Sequence, residues 1–161
     1  MKTPTILRRK RTGQTDYRKR LSLLKSETPR LVARISRSGF IVQITEYDPD
    51  GDLVRATVNS RVMEKSVGIK GNNTQVCYLA GYLLGKKAQT MELENAILDT
   101  GRQELVRGGR VSAMLKGAVD SGLEVACSEE IFPKKDRIQG KHLKNPLKVE
   151  ELKKKIDEMV K

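Results

Sequence analysis

Three short runs of alternating apolar and polar residues, over 30–36, 40–47 and 53–59, frame this chain. In the first, Leu31, Ala33 and Ile35 alternate with Val32, Arg34 and Ser36, and a period of two predicts strands. Ser38-Gly39 separates the first run from the second, and Asp48-Pro49-Asp50-Gly51 separates the second from the third. Both are turn signals, and connections this short predict an antiparallel meander. The alternation assigns Leu31, Ala33, Ile35, Phe40, Val42, Ile44, Val54, Ala56 and Val58 to one face. Val32, Arg34, Ser36, Ile41, Gln43, Thr45, Arg55, Thr57 and Asn59 fall on the other, which carries no acid until the strands end. A solvated face usually mixes both signs, so this one extends a possible grip on a polyanion.

After a polar, glycine-containing link over 60–71 the period changes to that of a helix. Val76, Leu79, Ala80, Leu83 and Leu84 recur at helical spacing, with Asn72 or Asn73 placed to cap. On another side of that helix Cys77, Gly81 and Gly85 repeat every four residues. A glycine inside a helix costs about 1 kcal/mol relative to alanine, so a close neighbour is expected there, by default the sheet. Ala96-Ile97-Leu98 is apolar on both sides, as an inner parallel strand requires. A glycine-rich loop over 101–110 leads to a helix carrying Val111, Met114, Leu115, Ala118 and Val119, closed by Gly122. A last strand is predicted over 123–126. Near the end, Asn145 is placed to cap a helix with Pro146 at its first position, and Val149, Leu152, Ile156 and Val160 form its stripe. That stripe needs the body or a neighbouring protein as partner. At the other end Thr15 is placed as a cap for a short helix with Leu21 and Leu24 on one face. Residues 1–14 lack apolar periodicity and are predicted to form no structure alone.

The order is β-β-β-α-β-α-β: an α/β domain with a mixed five-stranded sheet, a basic N-terminal arm and a C-terminal helix. It resembles the ribonuclease H-like topology. Three segments follow: an arm with a short helix over 1–28, an α/β body over 29–127, and a basic tail over 128–161.

Charge changes the picture. The 161 residues carry a net +12, and the first 38 hold twelve Lys and Arg against Asp16 and Glu27 alone. The body is close to neutral, so the excess sits on the arm, and such a split predicts a polyanion partner. No apolar run approaches the ~20 residues of a membrane span. Arg8-Arg9-Lys10-Arg11 follows Ile6-Leu7 at once and breaks any signal-peptide core. Cys77 and Cys127 read as reduced thiols of a soluble intracellular protein.

Catalytic readings fare poorly. A nuclease of this topology needs several carboxylates around metal ions, one of them on the first strand. Here Arg30, Arg34 and Arg37 occupy that region and Asp99 stands alone. The single histidine, His142, lies in the basic tail without metal-ligand spacing to either cysteine. Gly108-Gly109-Arg110 before a helix can offer amides to a phosphate, but it lacks the ending of a nucleotide-binding loop.

Several long blocks are specific. TDYRKRLSLLKS at 15–26 with PRLVARISRS at 29–38, NNTQVCYLAGYLLGKKA at 72–88, AILDTG at 96–101, GGRVSAMLKGAVDSGLE at 108–124 and SEEIFPKKDRIQGKHL at 128–143 resemble, in unchanged order, the universal large-subunit ribosomal protein eighteen family in its archaeal form. The resemblance implies the fold of translational machinery components, no enzymatic activity, no cofactor and no metal. It implies a cytoplasmic ribosomal location in the central protuberance, with 5S rRNA, 23S rRNA and neighbouring large-subunit proteins as partners and no membrane. The arm and first strand would hold 5S rRNA while the extreme N-terminus reaches 23S rRNA. The residues so implied are Arg8, Arg9, Lys10, Arg11, Thr15, Tyr17, Arg18, Arg20, Lys25, Arg30, Arg34, Ser36, Arg37, Asn72, Asn73, Thr74 and Arg110. Cys127 and Arg102 depart from the family's usual residues, and Lys134 and Lys135 make the tail more basic.

Overall fold

The computed structural model describes residues 6–160. The meander forms where alternation placed it: β1 (Arg30–Ile35), β2 (Phe40–Glu46) and β3 (Leu53–Asn59) pair antiparallel. β4 (Asn95–Asp99) lies parallel to β1, and the short β5 (Glu124–Val125) parallel to β4. The result is a mixed five-stranded sheet in the order β3-β2-β1-β4-β5, with the all-apolar run of β4 inside it.

One face is sealed. Leu31, Ala33, Val42, Ile44 and Val58 are almost completely buried. Val54, expected with them, is 52% exposed. The pairing shifts between Ile44 and Thr45, so that Ile44 faces Ala56 but Thr45 faces Val54. This β-bulge inserts Arg55 and turns Val54 to the opposite side of the sheet.

Two helices cover the sealed face. In α4 (Thr74–Gln89), Asn73 caps by accepting the Val76 N–H at 2.9 Å. α5 (Arg110–Asp120) buries Val111, Met114, Leu115 and Ala118 and ends at Gly122, whose φ of +106° suits glycine. The glycines of α4 meet α5 and not the sheet. A Cβ at Gly81 would overlap the Met114 carbonyl, one at Gly85 the Ser121 hydroxyl, and one at Gly117 the Tyr78 carbonyl. The helices therefore touch backbone to backbone, and Gly81→Ala is expected to lose stability. Overpacking costs about 1–3 kcal/mol, and the obstacle here is rigid main chain, so the upper end applies even after alanine's gain in helix propensity. Urea unfolding checks this; a stabilised variant would contradict the close crossing.

The link over 60–71 has structure of its own. Asn59 caps a helical turn, α3 (Ser60–Val62), which widens into a π-turn over Met63–Val67. Met63, Val67 and Ile69 are buried by it. The tail continues through a 3-10 turn (Glu129–Ile131), α6 (Lys135–Ile138) and α7 (Val149–Met159). α7 begins later than Asn145 and Pro146 suggest, after an N-cap Lys148 that makes no side-chain capping bond. The cause is Gln75, which is fully buried and grips the backbone of Leu147 twice. Its carbonyl accepts the Leu147 N–H at 3.1 Å and its amide donates to the Leu147 carbonyl at 3.2 Å. Leu147 is held like a strand residue, and the helix starts after it. The partner of the α7 stripe is the body: Ile156 and Val149 are buried, and the Tyr82 hydroxyl donates to Asp157 at 3.0 Å.

Candidate nucleic-acid interface

Arg8–Arg11 form one helical turn, α1, although no structure was expected there. Its bonds are local, and Arg9 Nε donates to Thr15 Oγ1 at 2.9 Å across the following bend. Thr15 is therefore an acceptor for the arm, and Asp16 is the cap of α2 (Tyr17–Leu24), taking the Arg18 and Lys19 amides at 3.0 and 3.2 Å. The Lys19 amide holds the Asp16 carboxyl below its ordinary range, outweighing the desolvation, with help from the Arg18 amide and the charges of Arg102 and Lys19. Residues 1–5, on which the expected 23S rRNA contact falls, lie outside the described residues.

Polar ties dock α2 to the body. No α2 residue is buried, and Leu21 is 58% exposed, so an apolar stripe cannot hold it. Lys19 Nζ donates to Thr100 Oγ1 at 3.1 Å and to the Gly101 carbonyl at 3.0 Å. Arg20 pairs with both oxygens of Asp52 at 3.0 Å. A cleft of about 320 Å³ remains between arm and body, walled by Arg9, Lys19, Arg34 and Arg102.

Asp99, at the end of β4, is the hub of this docking. Its carboxylate accepts from Arg30 at 2.9 Å, from Arg34 at 3.0 Å and from the Gly101 N–H at 2.7 Å. Arg30 also pairs with Asp52, which closes a chain Arg34–Asp99–Arg30–Asp52–Arg20 from the sheet to α2. Burial alone would raise the Asp99 carboxyl. The Arg34 charge, the Gly101 amide and the bonds from both arginines outweigh it and leave the carboxyl below its ordinary value. Its carboxylate already holds these three donors, and Asp99 reads here as an anchor.

This chain redistributes the predicted phosphate contacts. Arg30 is 3% exposed with its terminal nitrogens on two carboxylates, so it is an internal strut and cannot meet a phosphate there. Arg34 and Arg20 are partly exposed and each neutralised by an aspartate. By contrast Arg8, Lys10, Arg11, Arg18, Lys25 and Arg37 are exposed. None of them has a carboxylate partner among the described residues. Tyr17 is half-buried on α2. Ser36 closes the β1–β2 hairpin by accepting the Gly39 N–H at 3.0 Å. Asn72 ties that hairpin to the body, donating to the Ser36 carbonyl at 2.9 Å, and Asn73 is the helix cap described above. Thr74 and Arg110 stand apart from the arm, where α4 and α5 begin. Sequence reasoning missed Lys19, Asp52 and Asp99 as the latch, because nothing local marks an ion pair between residues 69 positions apart, as in Arg30 and Asp99.

Neither thiol is primed for nucleophilic attack. Cys77 is fully buried and its thiol is pushed up to about 12 by burial, Arg110 opposing only in part. Burial also raises Cys127. No helix of the described residues is long and apolar enough to cross a membrane.

By fold and surface this is an α/β protein with a cationic arm latched to its body. Its relatives narrow the class. The family model for ribosomal large subunit proteins 60S L5 and 50S L18 matches residues 3–96. The chain is 46% identical over 158 residues to the large ribosomal subunit protein uL18 of Picrophilus torridus, covering 98% of this chain and all of that one. It is 46% identical over 155 residues to the protein of the same name from Thermoplasma acidophilum, covering 96% of this chain and 95% of the relative. A third, from Thermoplasma volcanium, is 46% identical over 145 residues, covering 89% and 91%. The chain belongs to this family of large-subunit ribosomal proteins, which are not enzymes.

Proposed function

We propose that this protein binds 5S rRNA and attaches it to 23S rRNA in the central protuberance of the large subunit, on cytoplasmic ribosomes, beside neighbouring ribosomal proteins. The observation that carries this reading is the set of exposed, unneutralised bases Arg8, Lys10 and Arg11 on α1 and Arg18 and Lys25 on or beside α2, the helix that Lys19 and Arg20 fix to the body. A-form RNA hides its base edges in a deep major groove, so phosphates, ribose hydroxyls and unpaired bases are what such an arm can meet. The segments divide the work: 1–28 grips, 29–127 positions the grip and offers the open sheet face, and 128–161 braces α4.

An integral subunit protein resists washing in a way that a loosely bound cation does not. The protein is expected to stay with large subunits sedimented after a high-salt wash. Complete release into the supernatant would contradict the reading.

A further inference from the structure

We propose that the free sheet edge at β3, with the hairpin that leads into it, is a docking surface for a basic, extended segment of a neighbouring large-subunit protein. The inference rests on the ribosomal reading above. β3 is an outer strand, and among the described residues its backbone from Leu53 to Val58 bonds to β2 alone. Such an edge is a template for a further strand unless its side chains guard it. Here the guard is thin: β3 has no proline or lysine, and its one charge, Arg55, is folded onto Glu46 at 2.8 Å. Leu53 and Val54 are each at least half exposed. As consecutive strand residues they lie on opposite sides of the edge, so alternate side chains of an added strand would cover both. Tyr47, also more than half exposed, follows the Glu46–Leu53 pair at the same corner.

Charge names the occupant. Between Arg37 and Arg55 the sequence has four acids, Glu46, Asp48, Asp50 and Asp52, and no Lys or Arg, although the whole chain carries +12. Asp52 is taken by Arg20 and Arg30 and Glu46 by Arg55. Asp48 and Asp50 meet no base among the described residues. Beside them a cleft of about 440 Å³ is lined by Leu24, Thr28, Pro29 and Tyr47, with Glu27 and Glu46 as its acids. Glu27 also forms no ion pair among the described residues. An apolar wall, an aromatic ring and a free carboxylate suit the stem and the charged head of a lysine or arginine. A phosphate backbone would be repelled by the same carboxylates, so this corner of a cationic chain fits a basic protein segment and not RNA.

The test is made inside the assembled subunit. A photoactivatable benzophenone amino acid replaces Leu53, the full chain is incorporated into large subunits, and the irradiated product is identified by mass spectrometry. Hydrogen exchange over residues 53–58 is compared between the free natural chain and the natural chain in the subunit. The label should join one protein, at a segment with more Lys and Arg than acids, and exchange over β3 should slow on assembly. Glu27→Gln combined with Asp48→Asn and Asp50→Asn keeps the turn chemistry and removes the charge. It should cut the crosslink several-fold in subunits it still enters, without weakening 5S rRNA binding by the purified chain. A crosslink to rRNA, or to a protein segment without net positive charge, would overturn the proposal. So would unchanged exchange over β3, or an undiminished crosslink in the triple variant. Each of these leaves the ribosomal reading standing, because the chain is still in the subunit. Natural chain that fails to enter large subunits would remove that reading and the inference with it.

Discussion

Asp99→Asn is expected to destabilise the folded protein by about 3–5 kcal/mol, the usual effect of removing one partner from a buried ion pair. The reason lies in Arg30, which is 3% exposed and keeps only Asp52 when the Asp99 charge is gone. At roughly 2–4 °C per kcal/mol for a chain of this size, the melting temperature should fall on the order of 10 °C. The pH dependence has a definite sign. The folded-state value of Asp99 lies below its ordinary 3.8, so its ion pairs stabilise fully above that value and are lost as pH falls through the folded value. The natural protein should lose stability below about pH 4, and Asp99→Asn should show a flatter acid limb. Asp52→Asn makes an instructive comparison, because that side chain is 24% exposed and its pairs are better screened. Its stability loss should be smaller. What it should loosen is the docking of α2, which loses the Arg20 tie and keeps those that Lys19 makes to Thr100 and Gly101. Calorimetry between pH 3 and pH 7 measures these effects.

Replacing Arg8, Arg9, Lys10 and Arg11 together by glutamine is expected to leave the fold intact and to remove much of the salt dependence of RNA binding. None of the four is buried, so the core does not depend on them. If about six arm bases meet phosphates, the slope of log affinity against log salt should be roughly −4 to −5 for the natural protein. Four lost contacts should reduce its magnitude by about 3. Arg30→Gln should behave in the opposite way, damaging stability with little direct effect on the slope, because its guanidinium is occupied inside the protein. An unchanged slope in the fourfold variant would place the grip elsewhere on the surface.

Local pattern carried most of the architecture. Alternation located β1 to β3, helical spacing located α4 and α5, and the turn at Asp48–Gly51 appears with the Gly51 N–H donating to the Asp48 carbonyl at 3.1 Å. Where reading failed, a long-range interaction had overruled a local signal. Asn145 and Pro146 are a plausible helix start, but Gln75 holds Leu147 extended from 72 positions away. Val54 fits the apolar face by parity, and a bulge that no residue announces reverses it. The repeat of Gly81 and Gly85 did reveal a close neighbour, though spacing alone could not say that the neighbour was α5. The site divides along the same line. The charge of the arm was legible because charges add whatever their conformation. Which bases remain free was not, because Arg20, Arg30 and Arg34 are neutralised by Asp52 and Asp99, which join them only in the fold.

The arm bears bases that any polyanion would attract, so the central claim is one of preference. The most direct test is a competition at physiological salt between 5S rRNA and an unrelated structured RNA of equal length for the purified full chain. The account predicts that 5S rRNA holds the protein against a large excess of the competitor. Equal displacement by the two RNAs would mean that the arm reads charge alone, and would contradict it.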